Sequence, residues 1–486
     1  MKAEKNIVLK ISAFVMLFFG VNVYFAFATD TYCTFKKGFE ASAADMVSRN
    51  GRPIIGLMYE LHHLSGLSNK SFYYISTVLA LVFLGVSIWL FQRLLARHGV
   101  RENIRILLSC ASIANIFIIE YFMYIEKCGF MLAILFDISA VWLVERFFDK
   151  KKKSDIALAM IMLTLAVFTY QGTVALFVIL SIPFAFKYSK KFTEYVINMF
   201  WLGISYAVAV MLDMLAFKFV FKSSRISDQI DLIANIKKVI KGLVWYGIST
   251  FDILPRYMFL VLAIIVFAAA VCVAFCQKEK WLSILNILAI ILAACIVSTA
   301  TILQGSGFWA TRTVYPIASV IGALTVNLFI NQPDISDGDK RVRRVQTVTV
   351  LVILILLICQ YFSFNKIYID KYKVNVLDEY RYDYIGQAIE EYQESSGNEI
   401  KKIAFYTDAE RTSPAYFDLY DQGSLVVSAF YRSWSELTAL NYYLDTSYEK
   451  ADQSDEYVEY FASKDWNQLS QEQLIFDGDT LHLCIY

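Results

Sequence analysis

The chain is poor in the residues that punctuate soluble domains. Its 486 residues include six prolines, twenty glycines and four histidines, and only 18% are charged. So little proline and glycine excludes collagen-like and low-complexity architectures, and an ordinary soluble domain is nearer one-quarter charged. No Cys/His spacing suits zinc: His62 and His63 are adjacent and point to two faces of a helix. The P-loop, the glycine-rich dinucleotide turn and the nucleophile elbow are all missing, as is any convincing cytoplasmic Asp-x-Asp pair for a sugar nucleotide.

What is there is apolar. Hydrophobic residues make up 57% and aromatics 16% of the chain, and the mean hydropathy is +0.49. A formal net charge of +1 hides an asymmetry: residues 1–364 hold 35 Lys/Arg against 21 Asp/Glu, and residues 365–486 hold 10 against 23. One part is greasy and basic, the other polar and acidic. That excludes a single soluble globule, and it excludes nucleic acid as the main ligand of the acidic part.

A transmembrane helix needs about 20 mainly apolar residues. The first run, 7–28, follows Lys2 and Lys5 and is longer than the apolar core of a signal peptide, so it reads as a retained helix. Further runs lie near 72–92, 104–122, 129–147, 156–170, 173–187, 195–220, 257–276, 281–303, 312–330 and 346–364, making about eleven spans. The fifth and sixth are short and share a hairpin at 169–173.

Orientation follows the positive-inside rule. Loops after even spans carry Arg93, Arg97, Arg101 and Arg105; Arg146 and Lys150 to Lys153; Lys187, Lys190 and Lys191; Lys278 and Lys280; and Lys340, Arg341, Arg343 and Arg344. Short loops after odd spans carry almost only Lys127 and Arg312. The expected N-terminus is therefore cytoplasmic, with the acidic C-terminal segment outside.

Two outward loops are long. In 29–71, segments 39–47 and 53–64 have helical periodicity, with Pro53 suited to a first turn. In 222–256, Ile226, Ile230, Ile233, Ile236, Ile240, Leu243 and Val244 form one apolar stripe beside Lys237, Lys238 and Lys241, the pattern of a helix lying in the membrane plane. Residues 365–486 read as a small extracytoplasmic α/β domain. Helices are expected over 382–394 and 433–443, the second capped by Ser433 with Glu436. Strands are expected at 403–406 and 425–430, with a hairpin of 473–476 and 481–485 around Asp477-Gly478-Asp479. Cys33 and Cys128 both fall in outward loops, where a disulfide is open to them.

The candidate chemistry gathers at the outer surface. Asp30 follows the first span directly; a carboxylate at a helix C-terminus opposes the helix dipole, so it reads either as a general base for an acceptor hydroxyl or as a boundary marker. Arg52 stands in Asn50-Gly51-Arg52-Pro53, where it either binds phosphate bidentately or snorkels. Glu126-Lys127 fills a very short loop after Glu120, as a substrate-orienting pair or a local salt bridge. Tyr170-Gln171 offers an aromatic face and an amide for a sugar, or simply a turn. Arg312, with Trp309 before it, opens the tenth span, where a lipid phosphate is a fitting counter-ion. Arg256 is a weaker case, and the intramembrane Asp137 and Asp213 read equally as packing partners.

Taken in order, Asp30 after the first span, Asn50-Gly51-Arg52 in an amphipathic loop, the Tyr170-Gln171 turn and Arg312 opening a late span resemble the bacterial GtrII-type glucosyltransferases. These belong to the GT-C class of polytopic glycosyltransferases. The resemblance covers roughly 1–364, and the terminal Asp-Gly-Asp hairpin is similar to tails on some relatives. It implies a polyprenyl-phosphate sugar as donor and a surface glycan or lipid-linked acceptor. It also implies Asp30 as the base; where many GT-C members have two neighbouring acids, this loop has Asp30 alone, which weakens any case for a metal. The expectation is an all-α polytopic membrane protein, GT-C-like with about eleven transmembrane helices, carrying a small α/β extracytoplasmic domain. No cofactor is expected. Donor phosphate would fall to Arg52, Lys127 and Arg312, and substrate contacts to Glu126, Tyr170, Gln171 and Trp309. A transporter, flippase or polymerase of lipid-linked glycans is the rival reading.

Overall fold

A computed structural model describes residues 2–24, 26, 28–221, 232–298, 310–331, 340–407, 425–463 and 470–484. The chain divides into two compact units. One comprises Met1–Val23, Ser42–Phe122 and Glu126–Asn365; the other comprises Tyr24–Ala41, Met123–Ile125 and Lys366–Tyr486.

The first unit is helical among its described residues. Across the whole described chain, seven helices are long and apolar enough to cross a membrane, or eight with one bent pair. That pair is Glu102–Ile113 and Ile116–Met123, broken by 58° where a single straight span is expected over 104–122. The expected spans 156–170 and 173–187 are the helices Lys153–Thr169 and Ala175–Lys187. The second of these is a 13-residue helix, too short to span unaided. The first span is shorter than its apolar run: the α-helix Lys2–Phe19 tightens into a 3-10 turn at Gly20–Val23.

Two helices form the buried heart of this unit. Lys127–Lys150 packs against Asn69–Arg97, Lys153–Thr169 and Ala175–Lys187. Thr311–Ile330 is buried along nearly its whole length against Ala175–Lys187 and Glu102–Ile113. Close approach there depends on Gly322, where an added Cβ would sit 2.3 Å from the Ser112 hydroxyl. Polar side chains bind across the same seam: Asn115 Nδ2 donates to Tyr315 O at 3.0 Å and Ser319 Oγ at 2.9 Å. By contrast, Phe192–Leu215 and Met258–Phe275 leave Ile197, Phe200, Val261 and Ile264 exposed, as lipid-facing helices do.

The two loop helices expected in 39–64 are present as Phe39–Ser48 and Pro53–Ser65. The amphipathic helix is Leu232–Ser249, with Ile233, Ile240, Val244 and Trp245 exposed; Ile226 and Ile230 lie outside the described residues. Arg256 lies with its guanidinium carbon 5.2 Å from the Tyr257 ring centre and 5.5 Å from that of Trp245.

The second unit carries a four-stranded sheet in the order β2-β1-β4-β3. β1 is Lys402–Phe405, β2 Glu449–Lys450, β3 Leu474–Asp477 and β4 Thr480–Leu483. β1 runs parallel to both β2 and β4, while β3 and β4 form the antiparallel hairpin, with Gly478 at φ 58° in its turn. The expected strand at 425–430 is not one. Its backbone is held by side chains instead of a ladder: Lys371 Nζ donates to Val427 O at 3.0 Å, and Asp378 accepts from Ala429 N at 2.8 Å. The 433–443 helix begins at Glu436, with Ser435 and not Ser433 at its N-cap. Glu436 closes no capping box; it pairs with Lys450 Nζ at 2.8 Å. The 382–394 helix is the end of a single 57-residue helix, Lys340–Ser396.

A short helix that the apolar pattern conceals, Thr29–Lys37, also belongs to the second unit. Its Tyr32 meets the Tyr443 hydroxyl at 3.3 Å and its Phe35 packs on Tyr442, centroids 5.3 Å apart. Cys33 and Cys128 are both free thiols. Cys128 is buried, with its Sγ 3.8 Å from Met58 Sδ.

Candidate functional site

Two local rules build a polar cluster in the first unit. Pro316 lies inside the Thr311–Ile330 helix and has no N–H, so the carbonyl four residues earlier, Arg312 O, loses its helical donor. Tyr121 OH fills the gap at 2.8 Å, with Tyr170 OH at 3.5 Å. Helix starts also leave N–H groups without partners. Here Glu120 supplies the acceptor: its Oε2 takes Arg312 N at 2.7 Å and the Thr311 hydroxyl, while Oε1 pairs with the Arg312 guanidinium. Glu120 is 1% exposed, and the helix dipole favours an anion at this end.

Arg52 comes to the same place from a different element. Gly51 holds φ +62°, and a Cβ there would lie 2.1 Å from the Phe217 ring, so both backbone and space demand glycine. The turn puts the Arg52 guanidinium carbon 4.6 Å from the centre of the Tyr170 ring, with Nε buried and making no hydrogen bond. Gln171 Nε2 holds the turn by donating to Gly51 O at 3.1 Å, and it reaches Asp213 Oδ1 at 3.4 Å. Gly172 lets the loop approach: a Cβ there would stand 3.0 Å from Arg312 O.

Glu126 and Lys127 stand at the start of the Lys127–Lys150 helix. Glu126 accepts from Tyr59 OH at 3.2 Å. Lys127 is fully buried, makes no hydrogen bond through Nζ, and lies 3.8 Å from the Tyr73 ring centre. Burial disfavours the charged ammonium, and the aromatic face offsets only part of that cost.

The first unit thus gathers Arg52, Tyr170, Gln171 and Arg312, while Glu126 and Lys127 meet Tyr59 and Tyr73 at another helix start. Two acids omitted from the sequence candidates belong with them: Glu120, which anchors Arg312, and Asp213, which meets Gln171. The signal for Glu120 was Pro316 four residues after Arg312, which marks a carbonyl and a helix start needing outside partners. Trp309 lies outside the described residues. Among the described residues no three His, Cys, Asp or Glu side chains gather to hold a metal.

Asp30 belongs to the second unit. The dipole argument for it is overturned: it stands in the first turn of Thr29–Lys37, where a carboxylate is favoured, and not at the C-terminus of the first span. Its side chain is exposed, and Oδ1 accepts from Trp434 Nε1 at 3.1 Å. Nearby Cys33 has its thiol pushed up by burial and by the Asp30 charge.

Compared with known proteins, the chain matches no family model and no curated sequence.

Proposed function

We propose that this chain is a membrane glycosyltransferase. It moves a sugar, a hexose such as glucose, from a polyprenyl-phosphate donor to a surface glycan or lipid-linked acceptor outside the membrane, with inversion. In this reading the bent pair and the shorter helices Lys153–Thr169, Ala175–Lys187 and Lys280–Ile296 complete about eleven spans. The N-terminus is cytoplasmic and the acidic domain is outside. The resemblance to GtrII-type and GT-C enzymes belongs to the same proposal.

One observation supports it above the rest. Arg52 and Arg312 converge on Tyr170, one lying over its ring and the other offering it a carbonyl. The Arg52 guanidinium suits a leaving phosphate, and the Arg312 guanidinium, held by Glu120 with an open edge, adds to it. When the acceptor oxygen attacks the anomeric carbon, the carbon–oxygen bond to phosphate breaks and its electrons depart with the phosphate. Positive charge fixed near that oxygen lowers the barrier. Lys127 adds a third cation, and Glu126, Gln171 and Tyr170 offer hydroxyl partners and a ring face to the sugar. Asp30 takes the acceptor proton. No metal is required.

The test is transfer from a radiolabelled polyprenyl-phosphate hexose by the purified chain in liposomes. Asp30→Asn should lower turnover about 10²–10⁴-fold with insertion unchanged. Arg312→Ala should raise the donor KM more than the acceptor KM. Full activity in Asp30→Asn removes it as the base. Transport is the second reading, favoured by Asp137, which is fully buried within Lys127–Lys150 with Thr173 as its polar neighbour. Lipid-linked glycan crossing the liposome without bond formation would establish that reading instead.

A further inference from the structure

The second unit presents an exposed indole beside an exposed carboxylate. Trp434 leaves 55% of its surface open, although tryptophan is usually well covered. Its position is fixed: Nε1 donates to Asp30 Oδ1 at 3.1 Å, and its carbonyl accepts from Thr438 Oγ1 at 3.4 Å and Cys33 Sγ at 3.6 Å. Trp434 directly precedes the Ser435 cap of the Glu436–Tyr443 helix, and Asp30 stands in the first turn of Thr29–Lys37, so both residues ride on packed helix starts. The Arg432 guanidinium carbon lies 5.6 Å from the Trp434 ring centre.

We infer that Trp434 and Asp30 form a subsite for a neutral pyranose of the acceptor glycan, an inference that rests on the glycosyltransferase reading. A sugar ring presents an apolar C–H face and a rim of hydroxyls. The first needs a flat, immobile aromatic surface and the second needs acceptors at its edge. Trp434 supplies the plane. Asp30 uses one oxygen to hold the indole and keeps Oδ2 without a hydrogen bond among the described residues, open to a hydroxyl. The indole N–H therefore orients the same carboxylate that takes the acceptor proton. Trp434 is a positioning residue: it stacks the ring so that a hydroxyl meets Asp30. A charged ligand fits less well, because the Asp30 carboxylate at the N–H edge and the Arg432 guanidinium over the ring oppose a single sign of charge, and the face away from Arg432 is the one left for a sugar.

The full chain in nanodiscs would be offered an array of lipid-free bacterial surface oligosaccharides. The expected result is binding to a subset, weakened about ten-fold by Trp434→Ala, with Trp434→Phe losing less because the plane survives. Melting temperature, unchanged in both variants, would separate this from unfolding. In the transfer assay Trp434→Ala should raise the acceptor KM and leave the donor KM alone. Unweakened binding by Trp434→Ala, or no oligosaccharide bound by the unaltered chain, overturns the subsite. Oligosaccharide binding that depends on Trp434 in a chain that transfers nothing keeps the subsite and removes the transferase reading. Transfer that ignores Trp434 does the reverse.

Discussion

Glu120 in the first unit and Asp378 in the second meet the same problem with the same three donors. Each is a carboxylate removed from solvent, at 1% and 0% exposure, and each receives a guanidinium, a hydroxyl and a backbone N–H. For Glu120 the donors are Arg312 and Thr311. For Asp378 they are Arg381 at 3.5 Å, the Ser428 hydroxyl at 2.6 Å and Ala429 N at 2.8 Å. The difference lies in the arginine. Arg381 is three residues along the same helix with its side chain 5% exposed, while Arg312 opens another helix and keeps 16%. A sealed pair can only hold a fold together. A pair with an open edge holds the fold and still offers a cation.

Removing each acid would test that contrast, and the sealed pair should suffer more. Asp378→Ala removes the buried carboxylate that Arg381, Ser428 and Ala429 share, and breaking a buried pair costs about 3–5 kcal/mol, to be seen as early thermal unfolding and proteolysis within 366–486. Glu120→Ala should cost about 1–3 kcal/mol, because Arg312 can turn toward water or an added anion. Inorganic phosphate should then raise the melting temperature of Glu120→Ala and leave Asp378→Ala where it was. Equal rescue of both would erase the distinction between the two pairs.

A smaller effect probes the carbonyl that Pro316 leaves open. Tyr121→Phe removes the donor at 2.8 Å and leaves Arg312 O with Tyr170 at 3.5 Å. The expected cost is about 1 kcal/mol in stability, read by thermal melting. The donor KM should rise slightly as Arg312 loosens. A silent Tyr121→Phe would mean that the carbonyl finds another donor.

The pattern of hydrophobicity made the two loop helices at 39–64 and the terminal hairpin legible, since each depends on local signals: period 3.6, Pro53 at a first turn, Gly478 in a tight turn. The first span was overread because its apolar run continues through Phe25 and Phe27, and composition does not register where a helix tightens and ends. The 425–430 segment was mistaken for a strand because burial makes strands and buried irregular chain alike apolar; what separates them is whether the partner is a ladder or side chains such as Lys371 and Asp378. Of the candidate site, the cations were visible individually because charge in an apolar chain stands out. Their anchors were not, since Glu120 and Arg312 are 192 residues apart. Trp434 falls inside the expected helix 433–443 and carries no signal of its own there; only the fold of Thr29–Lys37 brings Asp30, 404 residues away, to its N–H.

The comparison also divides what acid should do to each unit, and the smallest expected effect lies in the second. Tyr406 OH accepts from Ser454 N at 2.8 Å, which leaves its own proton for His482 Nδ1, also at 2.8 Å. That arrangement needs a neutral ring, and burial holds the His482 pKa below its usual value, against a weaker opposing pull from Asp477. The unfolded chain therefore binds a proton more readily than the folded one. The stability contributed is complete above the ordinary histidine pKa and is lost as pH falls through the depressed folded value. Hydrogen exchange at Thr480–Leu483 in the full chain should accelerate as pH drops below about 6.5, once corrected for intrinsic rates. His482→Gln, which cannot gain the charge, should flatten that dependence. An equal acceleration in His482→Gln would remove His482 as the origin of the acid sensitivity.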